Sequence, residues 1–587
     1  MNYDLNKLST EEQKTSTYTG LKSLLQLIAH ERKNLLLALL AILLNSTLNL
    51  LGPYLIGHTI DVYVQNKQYH GVLVFSGILL AMYLIALFTS YFQTKLMGGV
   101  GQRMLFTLRN AIFNKLQVLP VAFFNANKAG DLISRVNNDT DKLNTFFSQS
   151  LMQFIGSIAT MTGAGIFLLA INPKLGVATL VPGVFILLFT QIVSPWVKRK
   201  NAANLKSTGG LSSEIQESLS NFKVIIAFNR RDYFRKRFGE VNEQNYKTAV
   251  GAGLANNLFL PVSGLFSSFA QLIVLSYGIY LIATGEFTVG LLVSYLAYAT
   301  NFYNPLRQLA TLWSSFQVAM AGWDRINQIL SLETDLITID SDKPDLASPD
   351  LVEFRNVHFG YQGGKEILHN VSLTLERGKT YAFVGPTGGG KTTTASLIAR
   401  LYDPTAGTVL LDGRDIRSYK QQERAQKIGF ILQEPFLFTG TVKENILYGN
   451  EEYKDYTNSQ LEQVISSANL EGLLKIFEKG LETSVSSNGD SISIGQKQLI
   501  AFMRAVLRNP DLLILDEATA NIDTVTEQLL EEILNKLPEK TTRIIIAHRL
   551  NTIKNADVIF FVNSGEVIRA GSFEDAMDKL LNGKRTS

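Results

Sequence analysis

The chain has 587 residues, of which 46% are hydrophobic and only 18% charged; its formal net charge is +4 and it has no cysteine. The missing cysteine excludes disulfides, zinc–thiolate centres and thiol nucleophiles, and a small net charge without blocks of one sign disfavours nucleic acid as a partner. So apolar a composition at this length points to several domains, one of them in a membrane.

Residues 1–14 are polar and mixed in charge, without the layout of a signal peptide, so the N-terminus is expected to stay cytoplasmic. Residues 18–29 are apolar at helical spacing but too short to span, and residues 1–33 read as a cytoplasmic N-terminus with a helix lying along the membrane surface. A spanning helix needs about 20 mostly apolar residues. Residues 34–60 and 71–94 supply two spans, the uncharged stretch between Lys142 and Lys174 and residues 175–197 a third and fourth, and residues 248–285 and 287–306 a fifth and sixth. Arg32, Lys33, Arg103, Arg109 and the cluster Lys198-Arg199-Lys200 place the adjoining ends in the cytoplasm. The connections over about residues 95–149 and 198–247 are too long to be structureless, and their patterns predict membrane helices extended into the cytosol with a short turn at each tip. Residues 34–331 are thus expected to form the membrane domain. Residues 332–350, acidic and interrupted by Pro344 and Pro349, read as a linker. Residues 351–587 alternate short β-branched runs with helical patterns, the signature of an α/β domain with a largely parallel sheet.

That last domain carries the chemistry. Gly385-Pro386-Thr387-Gly388-Gly389-Gly390-Lys391-Thr392 lies between a short apolar strand, residues 380–384, and a helix over residues 393–400. In that context glycines let backbone N–H groups and the positive helix end meet phosphate oxygens, Lys391 reaches the β/γ-phosphates, and the Thr392 hydroxyl can ligate Mg²⁺, with Thr393 beside it in the same site. Far downstream the apolar run 512–515 ends in Asp516, placed to hold Mg²⁺ directly or through water, and in Glu517, the candidate general base for an attacking water. Another strand, residues 543–547, ends in His548, which can donate to the γ-phosphate or position Glu517. Together these residues imply a site that binds and splits a nucleoside triphosphate.

These motifs, in the order six spans, linker, nucleotide domain, resemble the ATP-binding-cassette transporter family over nearly the whole chain. The resemblance implies an α-helical six-span transmembrane domain plus an α/β P-loop ATP-binding cassette, with ATP and Mg²⁺ as cofactors. Tyr361, in Phe359-Gly360-Tyr361-Gln362, is similar to the family's aromatic residue that stacks on adenine, and Gln433 to the loop glutamine that senses Mg²⁺ and the membrane domain. Ala520-Asn521-Ile522-Asp523 resembles the loop that crosses to a partner cassette, and residues 436–446 resemble exporter cassettes in particular. Phe123-Phe124 followed by Gly130 to Asp139 is similar to the first cytoplasmic coupling segment of exporters; residues 214–228, with Glu217 and Phe222, stand where the second would be.

One motif departs from the family. Where its signature reads Leu-Ser-Gly-Gly-Gln, this chain has Ile492-Ser493-Ile494-Gly495-Gln496. Ser493, Gly495 and Gln496 are implied to meet the γ-phosphate held by the opposite subunit, but Ile494 sets a β-branched side chain where backbone must approach phosphate and disfavours any positive φ there. Ser487-Asn488-Gly489 likewise replaces the usual Glu-Arg-Gly. A weak signature beside intact Lys391, Asp516, Glu517 and His548 implies a heterodimer whose other half-transporter supplies a sound signature. The implied function is ATP-hydrolysis-driven export of amphipathic, multidrug-type compounds across the plasma membrane, with membrane lipids and hydrophobic or amphipathic small molecules as further partners. The alternatives are a homodimeric lipid flippase or peptide exporter and, more remotely, a cassette ATPase outside transport. Phe266, Phe269, Tyr277, Tyr295, Tyr298 and Phe302 either line a cargo pocket or serve helix packing and lipid contact, the second being favoured.

Overall fold

The computed structural model describes residues 3–5, 31–334, 336, 338–339, 349–361, 364–433, 435–486, 492–516, 524–546, 555–570 and 574–575. The surface helix expected over residues 18–29 lies outside them. The chain divides into two units, one drawn from Glu12–Leu116 and Gly130–Ser331, the other from Met1–Glu11, Gln117–Ala129 and Leu332–Ser587.

The first unit is helical and multi-pass. Among the described residues five helical stretches, Arg32–Val64, Tyr69–Val118, Ala129–Ile171, Pro173–Ser220 and Arg231–Ala283, are long and apolar enough to cross a membrane. The sixth expected span falls in the first half of Val289–Leu330, a helix of 42 residues whose tyrosines and asparagines dilute its apolarity. Most of these helices far exceed the about 20 residues a bilayer requires, which is what spans with long extensions produce. Between Ile171 and Pro173 the third and fourth spans reverse at Asn172, whose side chain accepts from Leu175 N at 3.0 Å while Pro173 starts the new helix without needing a donor. Leu80, Leu87 and Phe88 on the second helix stay largely exposed, as a lipid-facing surface does.

The sixth helix is stitched to the others by hydroxyls. Tyr295 donates to Leu168 O at 2.6 Å, Tyr298 to Leu50 O at 2.7 Å and Tyr303 to Thr179 O at 2.6 Å, and all three rings are buried. Phe167 stacks on Tyr298 with centroids 4.8 Å apart, and Phe185 on Phe266 at 6.2 Å. Tyr295 and Tyr298 therefore serve helix packing within this unit. Buried hydroxyls need partners, and backbone carbonyls of neighbouring spans are the acceptors within reach.

Among its described residues the second unit has twelve strands, in chain order β1 (Asp350–Gly360), β2 (Glu366–Glu376), β3 (Thr380–Val384), β4 (Ala406–Leu411), β5 (Arg414–Asp415), β6 (Ile428–Ile431), β7 (Gly440–Thr441), β8 (Ser484–Val485), β9 (Leu512–Asp516), β10 (Thr542–Ile546), β11 (Val558–Asn563) and β12 (Glu566–Ala570). Four form a sheet in the order β2-β1-β4-β5, and six a sheet in the order β12-β11-β3-β10-β9-β6. In the larger sheet β11, β3, β10, β9 and β6 run parallel, with β12 antiparallel at the edge. Its central strands are covered on both faces. Leu512 and Ile514 of β9 face one core with Phe354, Tyr381 and Phe383, while Leu513 and Leu515 face the other with Leu499, Phe502 and Ile446. Double burial explains why β3 and β9 read as unbroken apolar runs rather than alternating ones.

Helix Val121–Ala126 and residues 3–5 belong to this same unit. Tyr3 and Leu5 are fully buried, although composition alone marked their neighbourhood only as mixed and polar. Asn127 holds them: its Nδ2 donates to Tyr3 O at 2.7 Å and to Phe123 O at 2.8 Å, and its Oδ1 accepts from Leu5 N at 3.2 Å. The Tyr3 ring meets Phe123 edge-on at 6.4 Å, and its hydroxyl donates to Glu333 O at 3.2 Å.

Candidate nucleotide site

β3 delivers the chain into the loop Gly385 to Gly390, which closes onto helix Lys391–Ile398. Gly385 has φ +153° and a Cβ there would sit 1.9 Å from Val562 O; Gly390 has φ +112° and a Cβ would sit 2.8 Å from Leu368 Cδ2. Only glycine meets both demands, so these two positions let the backbone close into a tight cradle. Pro386 O accepts from Gly389 N at 3.1 Å, tightening the turn over Thr387 and Gly388. Lys391 is only 6% exposed, and its Nζ donates to Gly385 O at 2.8 Å and Pro386 O at 3.0 Å, which holds the ammonium across the loop mouth.

The sheet register brings the second half of the site alongside. Ile546 of β10 lies opposite Phe383 on one side and Asp516 on the other, so Asp516 leaves β9 level with the end of β3. Ile431 pairs with Leu515, and Gln433, exposed, follows two residues later at the same edge. Phosphate loop, Asp516 and Gln433 thus share the carboxyl edge of one parallel sheet, where open α/β sheets bind ligands. Thr392 Oγ1 donates to Asp516 Oδ1 at 3.3 Å, and Asp516 is only 2% exposed. One hydroxyl and one carboxylate, both hard oxygen donors, fit Mg²⁺, which typically takes one or two carboxylates and completes its shell with water and substrate phosphate. The glycine cradle and Lys391 fit a polyphosphate.

Comparison with known proteins agrees with this geometry. Residues 35–306 match the ABC transporter transmembrane region, and residues 368–520 match the ABC transporter nucleotide-domain family. The chain is 35% identical over 553 residues, 93% of its length and 90% of the relative's, to an uncharacterised ABC transporter ATP-binding protein, YfiC, of Bacillus subtilis. The chain belongs to the ABC transporter family. It is also 34% identical over 498 residues, 85% of its length and 78% of the relative's, to a fatty acid ABC transporter ATP-binding/permease protein of Mycobacterium tuberculosis. A multidrug resistance ABC transporter ATP-binding and permease protein of Lactococcus lactis is 31% identical over 502 residues, 85% of this chain and 84% of that one. The cassette of this ABC transporter is therefore an ATPase domain coupled to transport across a membrane.

Tyr361, the base-stacking candidate of the transporter, follows β1 and is 37% exposed. Its ring is braced edge-on by Phe359 at 5.0 Å and Tyr402 at 5.2 Å, and its hydroxyl lies 3.2 Å from Thr393 Oγ1 on the phosphate-loop helix. Thr393 thus touches the site through Tyr361. Neither Tyr402 nor Asn125, whose Nδ2 donates to the Tyr402 hydroxyl at 2.7 Å, stood out in the sequence. The signal was present only as an aromatic beside the Asp403-Pro404 turn.

At the signature, Ser493 caps helix Ile494–Val506: its Oγ accepts from Gln496 N at 3.1 Å while Gln496 Oε1 accepts from Ser493 N at 2.9 Å. This capping box ties together the side chains of two of the three residues, Ser493, Gly495 and Gln496, that the resemblance assigned to nucleotide contact. Ile494 corrects a further expectation. It stands as the first residue of the α-helix and is not among the residues with positive φ, so no backbone conflict arises from losing glycine there. What distinguishes the position is its side chain, 57% exposed beside Gly495 at the helix mouth. Glu517, His548 and Asp523, with Ser487-Asn488-Gly489, lie outside the described residues.

Proposed function

We propose that this ABC transporter is one half of an ATP-driven exporter of amphipathic compounds, working in the plasma membrane with a different half-transporter and with its N-terminus and cassette in the cytoplasm. The observation that carries the reading is the contrast within one cassette. Lys391, Thr392 and Asp516 converge on the phosphate loop, while the signature helix presents the exposed side chain of Ile494 where a nucleotide held by a partner would approach.

Mg²⁺·ATP would supply the scissile phosphoanhydride and a cation to offset its charge. Lys391 would hold the β/γ-phosphates against the cradle of Gly385, Pro386, Thr387, Gly388, Gly389 and Gly390. Thr392 and Asp516 would provide the metal's protein oxygens, with Gln433 reaching in from the end of β6, and Tyr361 would stack on the base. Glu517 would take the proton of the attacking water and His548 would position it or donate to the γ-phosphate. Asp523 would meet the partner cassette. Ser493, Gly495 and Gln496 would face the partner's nucleotide, and the bulk of Ile494 makes that second site slow. Binding of ATP then favours the closed cassette pair, and hydrolysis resets it.

Relatives named for multidrug resistance and for fatty acids both support an amphipathic cargo. The test is ATP-dependent accumulation of a fluorescent amphipathic amine in inside-out vesicles bearing both half-transporters. Accumulation that Lys391→Ala abolishes supports the proposal; accumulation unaffected by Lys391→Ala contradicts it. The fatty-acid relative favours lipid-like cargo as a second reading, and the same vesicles given a fluorescent fatty acid separate the two.

A further inference from the structure

Beside the phosphate loop three rings form a triangle. Tyr361 meets Phe359 at 5.0 Å and Tyr402 at 5.2 Å, both edge-on, and Phe359 meets Tyr402 at 5.6 Å. The two outer hydroxyls reach in different directions. That of Tyr361 lies 3.2 Å from Thr393 Oγ1 on the phosphate-loop helix, and that of Tyr402 accepts from Asn125 Nδ2 at 2.7 Å, on helix Val121–Ala126. The backbone carrying Tyr402 is pinned, because Arg400, almost fully buried, donates to Asp403 at 2.9 Å and to the carbonyls of Ile416 and Arg417. A cleft of about 490 Å³ lies between helix Val121–Ala126 and the segments carrying Tyr361 and Tyr402, lined by Ala122, Asn125, Tyr361, Tyr402 and Thr405 among others. Burial also pushes the Tyr402 phenol upward, which keeps it protonated and neutral.

We propose that Tyr402 is a positioning residue for the nucleotide base: its ring edge sets the orientation in which Tyr361 stacks, and its hydroxyl passes the presence of a base to Asn125 and helix Val121–Ala126. The proposal rests on Tyr361 being the base-stacking residue. Edge-to-face rings share an orientation preference, so a base that fixes Tyr361 also fixes Tyr402. The Asn125 bond is directional and weakens steeply with misalignment, so a small ring rotation is felt at the helix. Thr393 ties the same rings to the helix that receives phosphate, so base and phosphate reach Asn125 through one aromatic cluster.

The experiment compares ATP with inorganic tripolyphosphate, which fills the phosphate cradle and has no base, on the full-length assembled transporter. Tyr402→Ala should weaken ATP binding by about 2–10-fold and leave tripolyphosphate binding unchanged. Hydrogen exchange over residues 121–126 should change with ATP and not with tripolyphosphate. Asn125→Ala should keep ATP affinity within about twofold yet erase that ATP-specific change, and Tyr402→Phe should erase it too. Equal losses for both ligands in Tyr402→Ala, or an exchange response shared by both ligands, would overturn the relay. Tyr361→Ala separates the two levels. If it leaves ATP affinity unchanged, the base-stacking reading falls and the relay with it; if it weakens ATP while Tyr402→Ala does not, the relay alone falls.

Discussion

Thr392 and Asp516 stand 124 residues apart in the chain, yet the Thr392 hydroxyl donates to Asp516 Oδ1 at 3.3 Å. Strand β10, lying between β3 and β9, sets that distance by pairing Ile546 with both Phe383 and Asp516. The pair sets beside the phosphate cradle two oxygen donors of the kind Mg²⁺ takes.

Replacing Asp516 by Asn keeps the shape and removes the charge. Turnover should fall by about 10–100-fold and need more Mg²⁺, whether the carboxylate reaches the metal directly or through water. Nucleotide binding measured in EDTA should be unchanged. A Mg²⁺ titration of ATPase activity checks this, and an unaltered Mg²⁺ requirement would place the metal elsewhere.

Gly385→Ala should be poorly tolerated although it adds one methyl group. The new Cβ would lie 1.9 Å from Val562 O at a φ of +153°. Conformational strain of that kind costs on the order of 1–3 kcal/mol, before any displacement of β11. ATP affinity should fall by more than about tenfold, and thermal unfolding of the cassette should shift downward. Calorimetry with and without ATP reads both.

The phosphate loop, the run ending at Asp516 and the apolar spans were legible in the sequence because each is contiguous and each obeys a local rule. Glycines, a lysine and a hydroxyl within eight positions, or about twenty apolar residues in a row, need no tertiary contact to be seen. Tyr402 and Asn125 were not legible, since 277 residues separate the two and nothing local marks either one. Tyr3 was missed for the same reason: its acceptor, Glu333 O, lies 330 residues away. At Ile494 the sequence showed the substitution, but whether the position needed a positive φ depended on where the helix begins. The Ser493–Gln496 capping box starts it one residue after Ser493, so Ile494 is simply helical.

Tyr298→Phe removes one hydroxyl from the stitching of the sixth helix. Leu50 O loses the Tyr298 hydroxyl as a donor, an interhelical bond that in a membrane bundle is worth about 0.6 kcal/mol on average and up to about 1.7. The melting temperature of the detergent-solubilised transporter should drop by a few degrees, while the range of compounds exported stays the same. A changed cargo range with unchanged stability would return Tyr298 to the cargo path.

Asn127→Ala should release residues 3–5. The carboxamide is buried and makes three hydrogen bonds, to Tyr3 O, Phe123 O and Leu5 N. Leaving those groups without a partner costs about 1–3 kcal/mol each if water does not replace it. Limited proteolysis should cut the N-terminal segment faster in the variant, and Asn127→Asp, which keeps the acceptor for Leu5 N, should lie between the two.

The most direct test of the account is steady-state ATPase of the purified pair carrying a single Glu→Gln change in one half or the other. Glu517→Gln removes the proposed base while keeping the side chain's shape, so turnover should fall by about 10²–10⁴-fold with ATP binding retained. The equivalent change in the partner, and Ile494→Gly in this chain, should each leave turnover within about twofold, because in the proposed pairing both touch only the slow site. Equal losses from the two Gln variants, or vigorous ATPase from this chain purified alone, would contradict the account.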